Sequence, residues 1–187
     1  VLQQGRALAG LSRAVVSLLN MTETNSSETI HAALGHLGNG IGGDRVYIFR
    51  NDDSAPAGTV RTSMEHEWVA RGVSREIDNP DMIGLDLSGL FPDMCRVLLR
   101  GEAYRRTLRE SDGAERRIYE AQSIQSVILV PIHLHGRFWG FLGVDAVREE
   151  RRWSDDDISV LRVASESFGI ALERRAAVAM LHENEQI

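Results

Sequence analysis

Segment 126–146 constrains the fold more than any other part of the chain, and its sequence is SVILVPIHLHGRFWGFLGVDA. Two runs rich in Val, Ile, Leu and aromatic residues, Ser126–Leu134 and Phe138–Ala146, flank the short connection His135-Gly136-Arg137. Apolar runs of this kind around a short loop that contains glycine are typical of a β-hairpin. Because an isolated hairpin is at best marginally stable in water, we expect it to form the middle of a larger, covered sheet.

Two glycines and the segment after the hairpin lead to further expectations. Gly140 and Gly143 interrupt the second run, where a glycine is typical of a bulge or of a close approach by another element. Ser154 precedes three aspartates and is expected to cap a helix, since carboxylates in the first turn complement the helix dipole. The helical pattern continues past Arg175, which predicts a helix of about 30 residues. Its apolar face consists of Ile158, Leu161, Phe168, Leu172 and Leu181.

The chain before the hairpin predicts helices and strands in a mixed order. The predicted elements are a helix over 2–20, a helix over 27–37, a strand over 46–50, a strand over 59–69, an irregular region over 71–90, a helix over 92–99, an edge strand over 102–108 and a helix over 113–122. The glycines at 38, 40, 42 and 43 are expected to end the second helix. In the first helix, Leu8, Leu11, Val15, Leu18 and Leu19 predict one apolar stripe.

This order of elements predicts an α+β fold with an antiparallel sheet of five or six strands. We expect the N- and C-terminal helices to pack on one face of the sheet. The region 71–122 is then left to cover the other face and to enclose any ligand.

Composition limits the possible functions. The chain has 187 residues and a formal net charge of −6, which fits one domain and argues against broad binding to nucleic acid or to anionic membranes. All 21 basic residues are arginine, which excludes mechanisms that need a lysine. Cys95 is the single cysteine, so no internal disulfide forms. Because no apolar run approaches the roughly 20 residues that span a bilayer and no signal peptide is evident, we expect a cytoplasmic protein without direct membrane insertion.

Two stretches carry a resemblance to a known family. The hairpin with its VPI and FWGFLGVD segments, the arginine-rich connection, the WS pair followed by acids and the helix with ALERR resemble the C-terminal half of a GAF domain. The segment Gly43–Arg50, GDRVYIFR, resembles the first strand of that family. The resemblance runs from about Ser27 to Arg175. GAF domains are mostly regulatory modules of signalling proteins, so the resemblance implies sensing rather than catalysis, and no catalytic residue is predicted.

The resemblance also suggests a division of the chain. Residues 1–25 are expected to form an N-terminal signalling helix, residues 26–175 the GAF domain, and residues 176–187 a linker helix toward a following domain. Met180–Ile187 resembles the linker helices that lead from one sensor domain into the next. We therefore expect a fragment of a bacterial-type signalling protein, such as a sensor histidine kinase of a two-component system, with its output domain in the same chain.

Aromatic side chains are the best candidates for a ligand pocket, because such cavities are mostly apolar with few polar groups. On a strand, Tyr47 and Phe49 share one face, and so do Trp139 and Phe141. Arg45 or Arg50 is a possible partner for an anionic group. The predicted ligand-binding residues are Tyr47, Phe49, Trp68, Phe91, Trp139 and Phe141.

No cofactor is identified, and no metal, haem or bilin is expected. His133 and His135 share a strand face, but no third or fourth metal ligand follows at characteristic spacing. Cys95 is followed by arginine rather than histidine, and the surrounding motifs of bilin-binding GAF domains are absent. The chain also lacks the lysine that cyclic-nucleotide-binding GAF domains carry, and the several cysteines of those that reduce free methionine sulfoxide.

These observations favour a non-catalytic sensory domain that binds an unknown small molecule and passes the signal through its terminal helices. The helices are expected to form a homodimer, and no nucleic-acid partner is expected. Two alternatives stay open, namely a dimerisation or spacer domain without a ligand and a reductase of the GAF type. A sensor predicts an enclosed pocket of roughly 300 Å³ or more, whereas a spacer predicts a filled one.

Overall fold

The computed structural model describes residues 1–185 and shows one six-stranded antiparallel sheet with helices on both faces. The helices are α1 (Leu2–Leu19), α2 (Ser26–Ile41), α3 (Leu87–Leu90), α4 (Pro92–Leu99), α5 (Gly113–Ala121) and α6 (Asp155–Glu185), with 3₁₀ turns at Pro80–Met82 and Leu108–Glu110. The strands are β1 (Arg45–Asn51), β2 (Arg61–Val69), β3 (Leu85–Asp86), β4 (Tyr104–Thr107), β5 (Ser126–Leu134) and β6 (Arg137–Ala146). Their order in the sheet is β3-β2-β1-β6-β5-β4, and the predicted α+β fold is confirmed.

The predicted hairpin is formed by β5 and β6 in the middle of the sheet. His135 and Gly136 form the turn with φ values of 50° and 74°, as a two-residue type I′ turn requires. Near the turn, Ile132 pairs with Gly140 and His133 pairs with Phe138, so Trp139 has no partner of its own. This extra residue is a β-bulge, and it reverses the alternation of side chains at the start of β6.

Helices α2 and α6 pack on one face of the sheet and α1 packs on α2 and α6, so the N- and C-terminal helices lie on one side of the sheet as the sequence predicts. Helix α2 continues four residues beyond its predicted end at Leu37 and stops at Gly42, whose φ of 72° is typical of a helix C-cap. Gly42 thus ends the helix as expected, whereas Gly38 and Gly40 lie inside it and make room for neighbours. A Cβ atom at Gly38 would lie 2.2 Å from the ring of Trp68.

The apolar stripe predicted for α1 is only partly buried. The buried side of the helix consists of Ala7, Gly10, Ala14 and Leu18. Leu8 and Leu19 are exposed. The reason is a close crossing with α2, since a Cβ atom at Gly10 would lie 2.8 Å from the Cα atom of Gly40. Small side chains therefore face α2, while larger ones remain at the surface.

Helix α6 is 31 residues long, in agreement with the predicted length. Ser154 and Asp157 form a reciprocal cap, in which each backbone N–H donates to the side chain of the other residue at 2.8 and 3.1 Å. The last buried residue of the helix is Leu172, so Leu181, predicted on the apolar face, is exposed. Residues 186–187 of the predicted linker helix lie outside the described residues. Within residues 1–185, the helices are too short or too polar to cross a membrane.

The opposite face of the sheet is covered by residues 70–125, which we call the covering segment. It holds the two 3₁₀ turns, three short helices and the two edge strands. Its apolar side chains and the sheet form a second core, separate from the core under α1, α2 and α6. The space between the sheet and the covering segment is the candidate functional site.

Candidate functional site

Four of the six predicted ligand-binding residues line one cavity beneath the covering segment. Phe49 and Phe141 come from adjacent strands and stack with ring centroids 4.9 Å apart, while Tyr47 meets Phe49 edge-on at 5.5 Å. Phe91, from the covering segment, lines the cavity on the opposite side. In this conformation the cavity measures about 50 Å³, well below the 300 Å³ expected of an open ligand pocket.

The structure does not bring Trp68 and Trp139 to this cavity. Both pack against the core under the helices, on the other side of the sheet. Trp68 lies opposite Val46 in the β1–β2 pair, and directly opposed residues point to the same face. Trp139 is the bulged residue of β6, so it leaves the face of Phe141, and Phe138 packs against the second core instead.

Several cavity residues were absent from the sequence prediction. Three of them are methionines, Met64, Met82 and Met94, whose unbranched side chains adapt to irregular spaces. Gly143 leaves room for the Tyr47 ring in the floor of the cavity, because a Cβ atom there would lie 2.2 Å from that ring. A glycine inside a strand is a visible signal of such a close approach. Met82 lies in the region 71–90, which has no periodicity, and the patterns of the predicted strand and helix do not indicate which side of them Met64 and Met94 face.

A surface groove adjoins the cavity. The groove measures about 410 Å³ and is lined by the 79–86 segment and by the end of α5. Met82, Leu85, Ile118 and Gln122 line both the groove and the cavity. Between them, the Gln122 amide donates a hydrogen bond to the Met82 sulfur at 3.3 Å. The side chains of Met82 and Gln122 therefore form part of the wall that separates the cavity from the surface.

A buried ionic cluster lies next to the aromatic residues. The fully buried Arg45 guanidinium is 2.8 Å from Asp145, 3.5 Å from Glu67 and 3.8 Å from Glu76. Tyr47 connects this cluster to the cavity, because its hydroxyl donates to Asp145 at 2.7 Å. Arg45 is thus held by three carboxylates and is not free to bind an anion, contrary to its predicted role. Arg50 is half exposed and lies 3.6 Å from Glu65.

The environment of the cluster changes its acidity. Burial raises the pKa of Asp145 to about 6, although Arg45 and the Tyr47 hydroxyl both favour the ionised form. Burial also raises the pKa of Tyr47 well above its usual value, and the neighbouring Asp145 adds to this shift. With one guanidinium for three carboxylates, the cluster carries an excess of negative charge when all groups are ionised.

A second polar cluster fixes α5 to the sheet. The hydroxyls of Tyr104 on β4 and Tyr119 on α5 both donate to the same oxygen of Glu115, each at 2.7 Å. Burial and the adjacent carboxylate raise the pKa of both tyrosines, so they stay protonated as donors. This arrangement anchors the helix that carries Ile118, one of the residues between the groove and the cavity.

The other residues considered for a cofactor lie elsewhere. His133 and His135 are exposed on and beside the hairpin turn. Cys95 is buried on α4, where burial raises the pKa of its thiol, and it lines a shallow surface depression rather than the cavity. Among residues 1–185, no group of three or more His, Cys, Asp or Glu side chains is placed to hold a metal ion.

Comparisons with known proteins agree with the fold. A family model described as "GAF domain" matches residues 1–172. The methanogenesis regulatory histidine kinase FilI of Methanothrix harundinacea is 33% identical over 174 residues, which is 93% of this chain and 19% of the kinase. This chain therefore spans about a fifth of the length of that relative.

Solved structures with the same fold include proteins that hold a bilin. A far-red absorbing dark state with bound biliverdin has a TM-score of 0.72 and 14% identity, covering 89% of this chain and 99% of that one. The phycocyanobilin-bound GAF domain of a cyanobacterial phytochrome has a TM-score of 0.68 and 17% identity, covering 90% and 94%. A phycoerythrobilin-bound GAF domain has a TM-score of 0.70 and 16% identity, covering 92% and 97%.

These structures correct the expectation about cofactors. The missing motifs around Cys95 predict that no bilin binds, and that prediction is wrong, since solved structures with this fold hold biliverdin, phycocyanobilin and phycoerythrobilin. At these low identities the similarity shows the fold alone. In the present conformation a bilin would need the covering segment to move away from the sheet, because the cavity beneath it measures about 50 Å³.

Proposed function

Because this chain belongs to the GAF domain family, we propose that it is a non-catalytic sensory domain whose ligand enters the aromatic cavity from the surface groove. The observation that carries this proposal is the wall shared by the cavity and the groove at Met82 and Gln122. The groove alone has the volume of an ordinary ligand site, and the cavity offers the apolar surface that such a site needs.

A ligand would have to stabilise a more open state than the one described. The cavity of about 50 Å³ is smaller than the enclosed pocket of roughly 300 Å³ that a sensor predicts and closer to the filled site of a ligand-free spacer, so the sensory function requires that ligand binding enlarges it. The three methionines that line the cavity lower the free-energy cost of repacking its side chains, because methionine side chains reach many conformations. Ligand binding then shifts the population from the closed to the open state.

The signal would leave the domain through α6. Glu173 accepts a hydrogen bond from the backbone N–H of His135 in the hairpin turn at 2.7 Å. Next to it, Arg174 donates to the carbonyls of Leu18 and Met21 at the end of α1, at 2.9 and 3.2 Å. Because Glu173 and Arg174 are adjacent, a movement of the hairpin turn would be passed to α6 and to the end of α1 at the same place. Under this proposal residues 176–187 lead toward an output domain, as in a histidine kinase.

The terminal helices also offer a surface for a second copy of the chain. Val163, Ile170 and Leu181 are exposed on α6, and the spacing of 18 residues between the first and the last is five helical turns. Leu8 and Leu19 are exposed on α1. We propose a homodimer through these helices, and a monomeric mass in sedimentation at high protein concentration would contradict it.

Ligand binding is tested by thermal shift and native mass spectrometry with a panel of biliverdin, nucleotides and small aromatic metabolites. A sensor predicts that at least one compound raises the melting temperature. Met82→Ala removes part of the wall, so it should change the affinity for that compound, whereas Met180→Ala, at an exposed position of α6, should not. Absence of any binding, or equal affinity in both variants and the parent chain, would favour the spacer.

A further inference from the structure

The residues that line the aromatic cavity limit the chemical class of its ligand. Aromatic side chains line it together with the three methionines and several aliphatic residues, and these aromatic residues are Tyr47, Phe49, Phe91, Tyr119 and Phe141. None of the described residues in the lining carries a formal charge. A charged group that enters the cavity is therefore stabilised or rejected by the aromatic rings and by the charges that lie behind them.

The polar side chains of the lining offer little to an anion. The hydroxyls of Tyr47 and Tyr119 both donate to buried carboxylates at 2.7 Å. The Gln122 amide donates to the Met82 sulfur, which leaves one further amide hydrogen. Arg45 is fully buried and held by three carboxylates, so its guanidinium does not compensate an anion in the cavity. An anionic group would exchange its hydration for a single neutral donor, at a large cost in free energy.

Negative charge predominates around the cavity and the adjoining groove. Behind the lining, three carboxylates share the Arg45 guanidinium, and Glu115 shares Arg106 with Asp93, each at 3.8 Å. The two charged residues that line the groove are both aspartates, and one of them faces Arg61 across the β2–β3 pair. When these groups and their arginine partners are all ionised, carboxylates exceed guanidinium groups by seven to four. The carboxylates are Glu67, Glu76, Asp81, Asp86, Asp93, Glu115 and Asp145, and the guanidinium groups are those of Arg45, Arg61, Arg96 and Arg106.

Two tyrosines transmit part of this negative charge to the cavity. Each hydroxyl donates to a buried carboxylate, Tyr47 to Asp145 and Tyr119 to Glu115. In a low-dielectric interior such a hydrogen bond polarises the phenol and adds electron density to its ring. Because a cation is attracted by the negative face of an aromatic ring, both rings gain affinity for positive charge.

We propose that the ligand of this cavity is a small organic cation with a quaternary ammonium group, an inference that rests on the sensory function proposed for the same cavity. A primary ammonium would bring N–H donors that this lining, without a carboxylate of its own, leaves unpaired. A quaternary group has no N–H and presents its methyl groups to the rings, which is how aromatic sites recognise such cations. The stacked pair of Phe49 and Phe141 beside Tyr47 supplies three neighbouring rings on the sheet side of the cavity.

The size of the site agrees with a compact head group. The cavity measures about 50 Å³ in this conformation, so every ligand requires the covering segment to move. A trimethylammonium group is far smaller than a bilin and needs a correspondingly smaller displacement. The rest of the ligand would occupy the groove of about 410 Å³, beside Asp81 and Asp86.

Three probes of nearly the same shape isolate the effect of charge. They are the cation choline, its neutral isostere 3,3-dimethyl-1-butanol and the anion 3,3-dimethylbutyrate. Each probe is titrated into the whole chain at constant ionic strength while the ¹³C-methyl methionine spectrum is recorded. Choline should shift the methyls of Met64, Met82 and Met94 saturably and leave those of Met21 and Met180 unchanged. It should bind about tenfold or more tightly than the alcohol, as a desolvated cation–π contact implies, and the carboxylate should bind most weakly.

The variant Phe141→Leu keeps an apolar side chain and removes one ring. It should weaken choline binding about three- to tenfold. The neutral alcohol is the matched control, because a change in cavity shape alone would alter the affinity for both probes by a similar factor. The comparison of the three probes on the parent chain needs no variant, so it decides the inference even where Phe141→Leu is unstable.

The inference is overturned if the alcohol or the carboxylate binds as tightly as choline, if choline leaves the three cavity methyls unshifted, or if Phe141→Leu weakens choline and the alcohol equally. The proposed function is judged separately. Another compound that shifts the cavity methyls while choline does not would retain the sensory function and remove the cationic ligand, whereas failure of every compound would remove both.

Discussion

The buried carboxylate Asp145 makes a defined contribution to how stability varies with pH. Its folded-state pKa of about 6 lies above the value of about 3.9 expected in an unfolded chain. Because the folded pKa is raised, protonated Asp145 stabilises the folded state. This stabilisation is fully present below about pH 4 and is lost as the pH rises through 6. Over that whole window the loss amounts to roughly 3 kcal/mol.

The substitution Asp145→Asn removes this titration. Between pH 5 and pH 8 the unfolded carboxyl stays ionised, while the folded one goes from mostly protonated to ionised. The stability of the parent chain relative to the variant should therefore fall by about 1.4 kcal/mol over this range. A constant offset is also expected, because the amide oxygen can replace only part of the acceptor capacity that Arg45 and Tyr47 use. The prediction concerns how the stability difference between the parent chain and the variant changes with pH, and not its constant part.

Urea unfolding followed by tryptophan fluorescence at pH 5, 6, 7 and 8 measures the difference. Tyr47→Phe removes a hydrogen bond that favours the ionised carboxylate, so it should raise the pKa of Asp145 and extend the slope to higher pH. Asp52→Asn serves as an exposed control with a flat profile over this range, since hydrogen bonds from Ser54 lower the pKa of Asp52 and its carboxyl is therefore ionised in both the folded and the unfolded chain from pH 5 to pH 8. Parallel stability profiles for the parent chain and Asp145→Asn would refute the reasoning.

Three further substitutions test the packing of the helices. Gly38→Ala should destabilise the chain by about 1–3 kcal/mol in urea unfolding, because the added Cβ atom meets the Trp68 ring at 2.2 Å. Gly5→Ala, in α1 with no atom within 4 Å of the added group, should instead stabilise by about 0.5–1 kcal/mol, and a loss equal to that of Gly38→Ala would contradict the packing argument. Arg174→Met should cost about 1–3 kcal/mol and speed amide exchange near Met21, because it removes the donor to the Met21 carbonyl and one of the donors to the Leu18 carbonyl, which keeps the Met21 backbone N–H. Unchanged exchange there would show that Arg174 does not connect α6 to α1.

The large elements were predictable from the sequence because their signals are local. The alternation of apolar residues and the short His135-Gly136 turn specify the central hairpin, and the Ser154 cap with its aspartates specifies the start of α6. The same local signals predict an end of α2 at Leu37, which is four residues too early. Glycine disfavours a helix, but Gly38 is kept inside α2 because Trp68 needs the space, and that contact comes from the tertiary fold.

The site was less predictable because it depends on registers and on contacts distant in sequence. The β-bulge at Trp139 moves the indole of this residue to the opposite face of the sheet, and the local alternation of apolar residues does not indicate the bulge. Arg45 and Asp145 are 100 positions apart and meet only because β1 pairs with β6. The covering segment is built from short helices and a two-residue strand whose positions are set by tertiary packing, so its methionines could not be assigned to the cavity in advance.

The central claim is that the space between the sheet and the covering segment accepts a ligand. The chain has five methionines, and three of them, Met64, Met82 and Met94, line the cavity. Met21 lies in the core under the helices and Met180 is exposed, so they serve as internal controls. The ¹³C-methyl methionine spectrum is recorded while the compound returned by the thermal-shift panel, or indole if none is returned, is titrated. The account predicts saturable shifts of the three cavity methyls alone; shifts confined to Met21 and Met180, or none, would contradict it.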